Sequence, residues 1–293
     1  MKLVGFVVLA IATVLADLSA AQSPPTAAQS TQLGRVSAVY AQPSDLTFQE
    51  VYEVLRQHNA LEKVTEILSP FQFPEQLTIE TSQCGAANSY YQRKNFKPTV
   101  TICYELLKRI LESLPNETNP NGLTPTDAAV GQFFWVTFHE VGHAAFDTFN
   151  VPIFGHEEDA ADNFATFITL QFGKGQARRL INGAAWAWRA YMGDYQRNPV
   201  VQTRLAAFAT DHGLPQERFY NLVCLAFGAN RQEFADFAGF LPPTRGPNCA
   251  HEYQTLVRSF RQEIRPHLDM EQARVVLDTD WLEQVEATPP PQK

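Results

Sequence analysis

The sequence predicts an α+β fold, mostly helical, with a small N-terminal β-sheet and one long helix carrying the chemistry. Three observations carry that expectation. Alternation of period two is confined to the part of the chain before Tyr104, whereas later segments repeat their apolar residues at helical spacing. Thr124-Pro125-Thr126-Asp127 is a helix start, with a capping hydroxyl, proline at the first helical position and an acid in the first turn. Asn150 can close the helix opened there, and Pro152 cannot continue it.

The elements follow in order. Val36-Ser37-Ala38-Val39-Tyr40 alternates weakly, as a short strand does. From Leu46 to Phe71 the apolar residues Val51, Val54, Leu55, Leu61, Val64, Ile67 and Leu68 recur at helical spacing. Leu77-Thr78-Ile79-Glu80-Thr81 and Thr99-Val100-Thr101-Ile102-Cys103-Tyr104 form two more strands, joined by a polar loop from Asn88 to Pro98. Leu106 to Leu114 is a short amphipathic helix, and Asn116-Glu117-Thr118 fits a glycosylation acceptor in a eukaryotic secretory pathway. The helix opened at Thr124 runs to about Phe149, and another begins near Glu157. Further helices are expected around 176–192, 199–211, 215–228, 231–238 and 249–267. The chain has no internal repeat of fixed period.

The termini lie outside this core. Lys2 precedes an apolar run from Leu3 to Leu15, and Ser19-Ala20-Ala21 supplies the small residues that a signal peptidase reads, so residues 1–21 are expected to be a signal peptide cleaved before Gln22. The run is shorter than the ~20 apolar residues that span a bilayer and has no basic flank after it, so no membrane anchor is expected to remain. Residues 22–34, rich in Gln, Ser, Thr, Ala and Pro, are a flexible lead-in, and 286–293 a disordered tail. One folded domain occupies 35–285, and the product is secreted or periplasmic.

Composition narrows the function. The 293 residues carry 23 Lys and Arg against 31 Asp and Glu, a net charge of −8, which gives no basic face for a phosphate backbone and excludes nucleic acid as partner. Hydrophobic residues at 45 % allow a substantial core. The four cysteines are an even count in an oxidising compartment, and proximity favours the disulfides Cys84–Cys103 and Cys224–Cys249. None of them has the CxxC spacing of a zinc site.

On the central helix sits His139-Glu140-Val141-Gly142-His143. Two histidines four apart share a helical face and can ligate one metal ion, with the intervening Glu placed beside the remaining coordination position. The flanks Phe133 to Phe138 and Ala144-Ala145-Phe146 are nearly all apolar, so the helix is buried and its polar trio needs partners. Those partners are expected on the next helix, in Glu157-Glu158-Asp159-Ala160-Ala161-Asp162. Glu158 and Asp162 share a face there, as third ligand and as hydrogen-bond support for a ligating imidazole. Glu157, Asp159 and His156 are alternative ligands, and Asp147, one turn past His143, can support His143 or meet substrate. His212, ahead of the Arg218-Phe219-Tyr220-Asn221 stretch, is a candidate for stabilising an oxyanion.

These residues resemble the zincin-like metallopeptidases, in particular the gluzincins, in which H-E-x-x-H is followed by E-x-x-x-D on the next helix. Position 149, where a metzincin carries a third His, is Phe149. Cys84, Asn88-Ser89-Tyr90-Tyr91, Ile102-Cys103-Tyr104-Glu105, Phe138 to Ala144, Glu157 to Asp162, and Arg218 to Asn221 with Cys224 are similar to an uncharacterised, mainly bacterial metallopeptidase family. The resemblance implies a zincin-like fold, one Zn2+ held by His139, His143 and Glu158, Asp162 behind them, and a peptide or protein substrate. Glu140 would then be the general base that takes a proton from water and hands it to the leaving amine. Strand Thr99 to Tyr104 is expected along the cleft, pairing with extended substrate. Two other readings stand beside this one: a scaffold for binding or assembly without turnover, and a zinc hydrolase of a non-peptide amide.

Overall fold

The computed structural model describes residues 32–33, 35–118, 122–173, 175–197 and 211–282. The expected signal peptide, nearly all of the lead-in, the helix around 199–211 and the tail fall outside the described residues. Gln32–Leu33, the described part of the lead-in, is a two-residue strand β1 rather than flexible chain, because its backbone pairs antiparallel with the edge of β2, Val36–Tyr40.

The structure is α+β. Strands β3 (Leu77–Ser82), β4 (Ser89–Lys94) and β5 (Lys97–Cys103) complete one sheet of order β1-β2-β3-β5-β4. β2, β3 and β5 run parallel, and β4 returns antiparallel on the outside of β5. The polar loop expected between Asn88 and Pro98 is therefore a hairpin. β4 is an edge strand with both faces partly wet, so Tyr90-Tyr91-Gln92-Arg93-Lys94 shows no apolar alternation from which to read it. The central strand β5 is buried from Pro98 to Cys103, and β3 alternates, with Leu77, Ile79 and Thr81 inside.

Helices α1 (Gln49–Gln57), α2 (Ala60–Ile67) and α3 (Tyr104–Glu112) follow strands of the sheet. The single helical stretch read from Leu46 to Phe71 is split at Asn59, whose φ of 50° is left-handed. Helices α4 (Pro125–Phe149), α5 (Glu157–Gln171), α6 (Gln176–Arg197), α7 (Pro215–Ala229) and α8 (Cys249–Glu263) form the larger layer, and α9 (Met270–Asp278) closes the described chain. The helix expected over 231–238 is instead a run of turns ending in a 3-10 segment at Ala235–Gly239. The one expected over 249–267 ends at Glu263, with Pro266 in the following 3-10 turn.

α4 organises the molecule. It packs against β4 and β5 on one side and against α5 and α6 on the other. Its start is a capping box: Thr124 Oγ1 accepts from Asp127 N at 3.0 Å, and Asp127 Oδ2 accepts from Thr124 N at 3.2 Å. Asn150, at φ 54°, terminates it. α4 and α6 touch backbone to backbone, since a Cβ built at Gly183 would lie 2.2 Å from Asp127 O. The disulfides are Cys84–Cys103 and Cys224–Cys249, the expected pairing; the first ties the end of β5 to the loop after β3, and the second ties α7 to α8. Loops of this length make each worth about 3 kcal/mol through the unfolded chain. No helix among the described residues is long and apolar enough to cross a membrane.

Candidate metal centre

The polar trio of α4 is buried as its flanks require: His139 is 3 % exposed and Glu140 5 %. α5 lies close beside them because the motif contains a glycine. A Cβ on Gly142 would sit 3.2 Å from Ala161 Cα and 3.3 Å from Phe164 Cβ, so residues 142 and 161 let the helices approach until their carboxylates and imidazoles meet.

Nδ1 of His139 lies 2.7 Å from Asp162 Oδ1, and its Nε2 lies 3.0 Å from Glu158 Oε2. Nδ1 of His143 lies 2.7 Å from Glu157 Oε1. The two Nε2 atoms are 3.4 Å apart, and His143 Nε2 is 3.5 Å from Glu158 Oε1. With each Nδ1 on its own carboxylate, the Nε2 atoms are the ones left to ligate, facing each other and Glu158. Three such donors converging on one point can share a metal ion. Donors about 2.0–2.2 Å from a tetrahedral zinc stand roughly 3.3 Å apart, the spacing found here. One ligand atom from each of His139, His143 and Glu158 falls within 4.8 Å of the others, so these residues can hold a metal ion.

Without a metal the same geometry is satisfied by protons. Burial opposes charge on His139, but the bonds to Asp162 and Glu158 outweigh it and push the imidazole up to about 9. His143 is raised in the same way, burial against the bonds to Glu158 and Glu157. Burial would raise Glu158, yet the hydrogen bonds from His139, His143 and His212 hold it far below the usual carboxylate range. Asp162 is also lowered, its burial overcome by the Arg218 charge and the His139 bond.

The residues read from sequence meet at one place. His139, Glu140, His143, Glu158 and Asp162 lie together, and His212 joins them with Nε2 at 2.8 Å from Glu158 Oε2. Glu157 bonds His143 from outside the donor triangle, and neither Asp159 nor the exposed His156 belongs to the converging group. Asp147 does not support His143; it accepts from Arg93 Nε at 2.8 Å and from the Tyr91 hydroxyl, fastening β4 to α4.

The strand along the cleft also differs from expectation. β5 is hydrogen-bonded on both sides, by β3 and β4, so β4 is the edge strand that packs beside α4. Three contributions were not read from sequence. Ser89 Oγ of β4 donates to Glu140 Oε1 at 2.8 Å. Glu157 fixes the His143 ring. Arg218 grips Asp162 while its guanidinium lies 5.2 Å over Trp135 and 4.2 Å over Trp188. A buried carboxylate such as Asp162 requires a cationic partner, and that was the available signal for Arg218.

A family model described as "Putative metallopeptidase" matches residues 40–263. The chain belongs to this family. The match runs from the end of β2 to the end of α8 and so includes the whole converging group. No curated protein and no solved structure matches the chain.

Proposed function

We propose that the chain is an exported zinc metallopeptidase of zincin-like fold, with His139, His143 and Glu158 as zinc ligands. The observation that carries this reading is the triangle of His139, His143 and Glu158 donors with a buried carboxylate, Glu140, beside it on the same helix, hydrogen-bonded at Oε1 to Ser89. A scaffold without turnover has no use for a buried carboxylate beside such a triangle. Zinc held there supplies Lewis acidity, which acidifies water and polarises a carbonyl oxygen.

The remaining work belongs to side chains. Glu140 takes the proton of the attacking water and passes it to the leaving amine, while Ser89 holds its carboxylate in place. Asp162 and Glu157 keep both imidazoles in the tautomer whose Nε2 is free to ligate. His212, half-exposed and 2.8 Å from Glu158 Oε2 through Nε2, is the candidate donor to a developing oxyanion. The outer edge of β4 offers backbone groups to an extended peptide. Export is supported by the leader-like sequence of residues 1–21 and by two disulfides, which persist in oxidising compartments.

The test is zinc content and peptide hydrolysis measured together. The purified chain should hold about one zinc, lost in His143→Ala and weakened in Glu158→Ala. Glu140→Gln should keep the metal and lose hydrolysis. Equal zinc in all variants, or undiminished hydrolysis by Glu140→Gln, would sink the assignment.

A further inference from the structure

A cavity of about 150 Å³ opens beside His139 and Glu140, and its wall is specialised. Leu106 and Ile110 of α3, Trp135 of α4, and Trp188 and Tyr191 of α6 make one side of it apolar and largely aromatic. Three uncharged polar side chains, Asn88, Ser89 and Gln132, interrupt that lining, and Gln132 of α4, 3 % exposed, has its Nε2 buried and without a hydrogen-bond partner among the described residues. Buried carboxamides in folded proteins are bonded in the great majority of cases, and leaving one unmade costs free energy that a ligand can recover.

Size and charge select the occupant. A cavity of this volume accepts a single benzene ring. Of the charged side chains lining it, Arg218 is already forked onto Asp162 and Glu140 already accepts from Ser89, so the two opposite charges give neither an acidic nor a basic side chain a net advantage. Aromatic walls favour a ring over a branched aliphatic group through edge and stacking contacts. The amide of Gln132 then distinguishes among rings, because a phenol hydroxyl can both donate to it and accept from it.

We infer that this cavity receives the tyrosine side chain, and less well the phenylalanine side chain, of the residue bordering the cleaved bond of a peptide substrate. The substrate part rests on the metallopeptidase reading; the chemistry of the ligand rests on the cavity alone. Discrimination between tyrosine and phenylalanine should be about tenfold, as expected for one hydrogen bond to a buried group.

The experiment has two arms. In the first, p-cresol, toluene and butylammonium, mimics of the Tyr, Phe and Lys side chains, are titrated into the zinc-loaded protein and followed by tryptophan fluorescence. p-Cresol should bind about tenfold more tightly than toluene, and butylammonium should not compete. Gln132→Leu should bring p-cresol and toluene to parity, and Ala187→Phe, which fills the cavity from α6, should abolish binding of both. Equal affinity for p-cresol and toluene in the wild type, or p-cresol binding unchanged in Ala187→Phe, overturns the inference. In the second arm a random peptide library is digested, and tyrosine should be enriched at one fixed position next to the cut. Cleavage with no aromatic preference overturns the inference and leaves the peptidase reading standing. p-Cresol binding as described with no cleavage of any peptide overturns the peptidase reading and the substrate part of the inference with it, and supports the ligand chemistry of the cavity alone.

Discussion

Arg218 forks onto Asp162, Nε to Oδ2 at 2.7 Å and Nη2 to Oδ1 at 2.5 Å, and that same Oδ1 faces His139 Nδ1. A residue of α7 therefore holds a carboxylate of α5 that orients an imidazole of α4. The guanidinium is only 12 % exposed, between two indoles, so the pair is screened from water and its geometry is fixed.

Arg218→Lys keeps the charge but loses the planar fork and the stacking on Trp188. Zinc affinity, read by competition with a chelator, should fall about tenfold in Arg218→Lys and about ten- to a hundredfold in Asp162→Asn, which weakens the acceptor behind His139. Circular dichroism should show both variants folded. Unchanged zinc affinity in both would mean that the pair only joins α5 to α7.

The proton-bound histidines set a pH dependence. In the metal-free chain His139 is raised to about 9, above its ordinary value near 6.5, so its contribution to stability is complete below pH 6.5 and is lost as pH rises through 9. Metal must displace that proton, so apparent zinc affinity should climb between pH 6.5 and 9 by up to about tenfold per pH unit for each proton released. Thermal melts of chelator-treated protein should show a falling Tm over the same window, and zinc-saturated protein should not follow it. A pH-independent zinc affinity would contradict the contacts of His139.

Much of this centre was legible before any coordinates, for identifiable reasons. The limits of α4 are written in local chemistry, with Thr124 and Asp127 at one end and Asn150 and Pro152 at the other. His139 and His143, and Glu158 and Asp162, are pairs four apart, and helical geometry alone puts each pair on one face. The disulfides joined near neighbours in sequence. What escaped depends on contacts across long separations. Arg218 meets Asp162 across 56 residues, and Ser89 meets Glu140 across 51. β4 was hidden because an edge strand exposed on both sides carries no periodic pattern. Glu157 is one of three consecutive first-turn acids, an alternative ligand by sequence, and helical spacing does not show that its carboxylate meets His143 Nδ1.

Gly142 sets the distance between the two helices that carry the candidate metal ligands. Its replacement by Ala brings two opposed effects: roughly 1 kcal/mol gained from helix propensity, and a Cβ contact at 3.2–3.3 Å that neighbours must relieve. Gly142→Ala should therefore change stability by less than about 1 kcal/mol. Gly142→Val adds two methyl groups against Ala161 and Phe164 and should cost about 1–3 kcal/mol while lowering zinc affinity, because the spreading of α4 from α5 moves Glu158 away from the imidazoles. Stability loss with zinc affinity intact would show that Glu158 reaches the metal without this close approach.

The Cys224–Cys249 bridge anchors α7, which carries Arg218 at its first turns. Next to it a Cβ on Gly228 would lie 2.1 Å from Cys249 O, so the α7–α8 contact is already backbone-tight without the covalent link. Replacing both cysteines by Ala should then leave the native arrangement in place and act through the unfolded chain, by about 3 kcal/mol. For a domain of this size that is a fall in Tm on the order of 10 °C. Zinc affinity measured well below the transition should stay within about twofold of wild type, since the helix packing, not the bridge, holds Arg218 against Asp162. A large loss of zinc affinity with a small shift in Tm would reverse that order and make the disulfide the element that positions α7.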